Sequence, residues 1–290
     1  MSMTSAAVAL ALGSAFCFGV ALLLTQFGLR GLSPLSGAAI SIPVSTLLFI
    51  CAAPIALSEG KADVAAVPIF AAVGLLFPGL VTLLTFEANR VLGPVITGTL
   101  GNLAPLFAVA LAVVMLGEPL RPAPFFGLIV IVAGIVIMTA SGRTETLRWR
   151  SWYLLLPLTA AAIRGFVQPT VKLGLELWPS PLAAALTGYV VSSVIVIATA
   201  RWHTGRFVAR APARNQLWFA GVGVCNGLAV LLTYAALANA PVTLVAPLVA
   251  VYPLVTVGGS IFLFGRIDGG ARLAFGVMLT VAGVALLIAG

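Results

Sequence analysis

Arg164, Gln168 and Lys172 lie in the stretch RGFVQPTVK (164–172), inside a run otherwise apolar enough to cross a membrane. Their i, i+4, i+8 spacing places all three on one face of a helix. Thirteen residues separate Ser151, where the run begins, from Arg164, about 20 Å along a helix and too deep for easy snorkelling to that end. An arginine at such depth is costly and requires a partner or a cavity. Its planar guanidinium can hold a carboxylate through two parallel hydrogen bonds. Carbonyls or polar side chains of neighbouring helices could satisfy it instead. Lys172, nearer the end of the run, can snorkel. Pro169 removes the N–H that would bond to Gly165 and predicts a kink there.

Three more polar residues fall close to the same depth in other runs: Asn102, Asn226 and Tyr252. They could orient the remainder of a solute held by Arg164, or the asparagines could bond helix to helix. Glu87 is the only carboxylate within an apolar run and so the candidate for coupling to a proton. It lies near the end of its run, with Arg90 three residues on as a closer partner than Arg164. No catalytic or metal-binding constellation is present. The single His203 stands in a loop of arginines, and Cys17, Cys51 and Cys225 sit singly in apolar runs. No cofactor is expected, and a membrane-embedded enzyme is the remote alternative.

The elements that must position these residues are membrane spans. Of 290 residues 61% are hydrophobic and only 8% charged, too few charges to cover a water-facing surface. The fold class is therefore an all-α integral membrane protein. Ten runs approach the roughly 20 residues a span needs: 5–28, 34–58, 65–88, 94–116, 122–141, 151–174, 181–200, 216–238, 242–264 and 271–289. The polar stretch 142–150 divides them into two units, 1–141 and 151–290. Met1–Val8 carries no Lys or Arg and the first run exceeds a signal-peptide core, so no cleaved signal is expected.

The two units repeat. LLTFEANRVLGPV (83–95) corresponds to LLTYAALANAPV (231–242), and LAPLFAVALAVVMLG (103–117) to VYPLVTVGGSIFLFG (251–265). Five is odd, so the second copy enters the membrane the opposite way up. Such an inverted repeat carries its site near mid-membrane, between the copies. The partners of Arg164, Gln168 and Lys172 are Phe18, Leu22 and Gln26, so the duplication lost its symmetry on this face. The net charge of +8 is concentrated at span ends, which points to anionic lipid and excludes a nucleic-acid partner. Eleven of the fifteen Lys and Arg fall at one end of the bundle, which places that end in the cytoplasm and both termini outside. All five tryptophans fall at span ends, as an aromatic belt requires.

Several features together resemble the drug/metabolite transporter superfamily and, within it, the ten-helix EamA-type permeases. These are the two five-span units, the Ser33–Pro34 and Ser180–Pro181 loops, Pro105 and Pro253 within the fourth and ninth spans, and Leu116-Gly117-Glu118-Pro119. The last matches that family's Gly-Glu hinge; its second copy departs, with Arg266 in place of the glutamate. Family members are drawn with cytoplasmic termini, against the charge count. The resemblance implies a basket of helices around a central cavity in a plasma membrane, bacterial inner membrane above all. It also implies alternating access and export of amino acids or related small carboxylates by a monomer or homodimer. A passive facilitator or an exchanger of other small solutes (drug, sugar or nucleotide type) is the alternative.

Overall fold

The computed structural model describes residues 3–29, 32–56, 63–139, 151–205, 212–264 and 270–289. The described residues are helical and contain no strand. The first half comprises α1 (Met3–Gly28), α2 (Pro34–Ala56), α3 (Ala66–Gly74), α4 (Val81–Gly101), α5 (Ala104–Leu116) and α6 (Pro122–Thr139). The second comprises α7 (Leu155–Leu177), α8 (Pro181–Thr204), α9 (Ala213–Asn239), α10 (Val242–Val249), α11 (Tyr252–Phe264) and α12 (Gly270–Ala289). Eight stretches are long and apolar enough to span a membrane, and α5 and α6 supply two shorter apolar helices.

The connections differ from expectation around the third and fourth spans. A wider turn, Leu75–Leu80, interrupts the third span, with Phe77 extended at φ −137° and ψ 133°. Pro78 disfavours the helical region for the residue before it, which accounts for the break. α4 then carries helical backbone across the expected connection at 89–93. It is not a straight rod. Both Thr85 and Gly101 lie against the Arg164 guanidinium. Sixteen residues of straight helix would hold them about 24 Å apart. The chain therefore turns back on itself between 86 and 100, where the sequence places the connection between spans.

In the fourth and ninth spans a break precedes the proline. Asn102–Leu103 separates α4 from α5, and Ala250–Val251 separates α10 from α11. α5 and α11 are each 13 residues long and carry Pro105 and Pro253 as their second residue. α7, by contrast, runs without interruption through Pro169.

Helices are tied to one another by small hydroxyls, as expected where lipid and side chains are equally apolar. Ser14 Oγ of α1 donates to the Ala229 carbonyl of α9 at 2.7 Å, and Ser45 Oγ of α2 to the Gly223 carbonyl at 2.6 Å. Ser192 Oγ of α8 donates to the Gly74 carbonyl at 2.6 Å. α6 and α12 pack backbone to backbone. A Cβ placed on Gly127 would lie 2.8 Å from the Gly283 carbonyl oxygen. Neither of these helices reaches the centre, which belongs to the cavity described next.

Candidate functional site

A cavity of about 400 Å³ lies between the halves. Of the seven residues that sequence reasoning singled out, five line it: Arg164, Gln168, Asn102, Asn226 and Tyr252. They come from α7, α9, the break between α4 and α5, and the first residue of α11. Among the described lining residues Arg164 is the only charged one, and no carboxylate faces it. Much of the wall is apolar or aromatic, including Phe18, Phe77 and Phe219.

Arg164 is the tenth residue of α7 and so sits well inside the bundle. The next residue explains how closely α7 approaches α5 here. A Cβ on Gly165 would meet the Phe107 side chain and lie 2.7 Å from the Ala108 nitrogen. Arg164 Nη2 donates to Thr85 Oγ1 at 3.2 Å, and Nη1 is 3.4 Å from where a Cβ on Gly101 would stand. The guanidinium is thus braced by a neutral hydroxyl, and carries five donors in all. Tyr252 Oη donates to Asn102 Oδ1 at 3.4 Å, and its ring centroid is 6.3 Å from that of Phe18. Gln168 Oε1 is buried and accepts no hydrogen bond among the described residues. An orphaned acceptor beside a cavity is a place for a solute N–H or O–H.

Residues 5–140 match the model of the EamA-like transporter family. The first half of the chain is thus similar to the EamA-like transporter family. A solved structure titled only "Crystal structure of protein" is similar across 97% of this chain and 96% of its own, with 18% identity and a TM-score of 0.80. That likeness concerns the fold. No curated protein matches.

The second half of the chain lies outside the matched residues, and it lines the cavity at positions that the sequence comparison pairs with those of the first. Gly101, Asn102 and Ala104 line it at the first break, and their partners 148 residues on, Val249, Ala250 and Tyr252, line it at the second. Arg164, Val167 and Gln168 of α7 face it, as do Phe18, Ala21 and Leu22 of α1. Thr85 and Thr233, the threonines of the duplicated LLT, both line it as well. Sequence reasoning quoted that duplication without assigning the threonines; their recurrence at one offset was the signal available.

Two singled-out residues lie elsewhere. Lys172 shares the helix face of Arg164 by spacing but is absent from the cavity wall. It does not snorkel either: its Nζ donates to the Ala240 carbonyl at 2.6 Å and stands 3.6 Å from Glu118 Oε1. α7 here is packed against the connection between α9 and α10, which closes over the lysine. Glu87 is likewise absent from the described lining.

The cavity is one-sided. It reaches Thr25 and Leu29 in the first half and Pro34 and Ala38 at the start of α2. The repeat partners of these four, Val171, Leu175, Pro181 and Ala185, do not line it. Val171 and Ala185 are wholly buried, at 0% exposure. Among the described residues the cavity therefore extends to the end of the bundle where α1 gives way to α2 and stops short of the other.

Proposed function

We propose that this chain is a secondary transporter that moves a small organic carboxylate, an amino acid or a close relative, across the plasma membrane by alternating access. The observation that carries the reading is Arg164: the one charged described residue on the cavity wall, deep in the bundle, held by a neutral hydroxyl and with no carboxylate opposite. A substrate carboxylate supplies the missing countercharge, and Arg164 provides the bidentate donors for it. Asn102, Gln168, Asn226 and Tyr252 orient the rest of the solute.

Alternating access draws its support from the two halves. Matched positions face one cavity in the middle, and diverge only towards the ends, where one half lines it and the other is buried. Exchange of those two conditions would carry the cavity to the opposite side, as an inverted repeat permits. Two units related in this way, 1–141 and 151–290, form the transport core of ten helices. The family resemblance gives export as the direction. Glu87, away from the described wall, is a poor proton carrier for this site, which favours exchange or facilitated flux over coupling through that residue.

The test is flux into liposomes holding the purified protein, with amino acids, other carboxylates and organic cations compared. Arg164→Ala removes the charge that meets the carboxylate, and affinity should fall by roughly 2–5 kcal/mol, at least about thirtyfold. Undiminished carboxylate flux by the folded variant, or flux of organic cations alone, would overturn the reading.

A further inference from the structure

Beyond the cavity, the end of the bundle that the cavity does not reach holds a junction of three chain segments. Glu118 follows Gly117, which ends α5 in the left-handed conformation at φ 65°. Its carboxylate is only 8% exposed and spans the first turn of α10: Oε1 accepts from the Val242 N–H at 2.7 Å and Oε2 from the Thr243 N–H at 2.9 Å. Lys172 of α7 lies 3.6 Å from Oε1 and donates to the Ala240 carbonyl at 2.6 Å. One carboxylate and one ammonium thus clamp residues 240–243 from two sides. Hydrogen bonds from a charged group to a helix's first N–H groups are among the stronger ones a helix end can receive.

α10 is also the floor of the cavity, through Ala246 and Val249. Lys172 follows directly on Val171, one of the buried partners of cavity-lining residues at the other end. We infer that Glu118 and Lys172 form the gate that holds this end of the transporter shut. To open here, α7 must part from α10, and the lysine's bonds to Ala240 and Glu118 lie across that parting. At the opposite end the repeat partners of Lys172 and Glu118 are Gln26 and Arg266, a pair without a carboxylate. The cavity reaches the end where these two positions cannot form an ion pair.

The inference rests on the alternating-access reading, and its test requires no substrate. In protein whose Cys17, Cys51 and Cys225 are replaced by serine, single cysteines report each end: Ala185→Cys at the clamped end and Ala38→Cys at the other. A membrane-impermeant maleimide is applied from each side in turn. With the gate intact Ala38→Cys should react and Ala185→Cys should be slow. Glu118→Gln and, independently, Lys172→Met should raise the Ala185→Cys rate about tenfold and lower the Ala38→Cys rate, because a two-state equilibrium trades one end for the other. General loosening of the fold would raise both rates. Either that outcome or unchanged rates in both variants overturns the gate, whatever the liposome flux shows. Reciprocal rates without carboxylate flux would uphold the gate and sink the substrate assignment alone.

Discussion

α1 and α7 open the two halves, and both line the cavity: Phe18, Ala21, Leu22 and Thr25 from one, Arg164, Val167 and Gln168 from the other. The backbone task is the same, since both helices must pass the centre of the bundle closely. The chemistry has diverged completely. Apart from Thr25, whose hydroxyl is bonded to the Ala21 carbonyl, α1 presents hydrocarbon, and α7 presents an arginine and an amide, so a solute between them meets a charged side and a mostly apolar side. On the proposed reading, that asymmetry is what gives the cavity its selectivity.

Breaking that contrast should have its largest effect at Arg164. Arg164→Ala should abolish measurable carboxylate flux in liposomes, whereas Phe18→Ala, at the matched position, should reduce it only several-fold. Gln168→Leu copies Leu22 onto α7. Because Gln168 Oε1 is buried without a partner among the described residues, its removal should stabilise the protein in detergent by about 1 kcal/mol while flux falls, so melting temperature and transport move in opposite directions. Tyr252→Phe deletes the 3.4 Å bond to Asn102 and should weaken substrate binding about two- to tenfold, read by titrating flux against substrate concentration. Smallest of all, Glu87→Gln should leave flux within about twofold; a larger loss would restore that residue as a coupling site and weaken the case for α7 as the seat of chemistry.

Much of this site was legible in the residues alone. Depth within an apolar run and spacing along a helix suffice to put Arg164, Gln168, Asn102, Asn226 and Tyr252 near one level, and all five meet at the cavity. What spacing does not carry is the neighbour. Lys172 has the right face and the wrong partner, because the lower part of α7 is covered by the connection ahead of α10. Glu118 was readable as a hinge residue, but its partners are backbone N–H groups of another segment, and no residue type announces those. The turn within the third span follows from Pro78, yet a proline alone does not mark a break: α7 continues through Pro169. The reversal inside α4 was visible as an expected connection, and only the shared neighbour Arg164 shows it within a continuous helical stretch.

The seam between α6 and α12 has a consequence for the bilayer around the protein. With the Gly127 backbone and the Gly283 carbonyl at contact distance, no gap remains there wide enough for an acyl chain. Lipid tails are barred from sideways entry at the place where the last helices of the two halves meet, and solutes dissolved in the hydrocarbon have no doorway along that line.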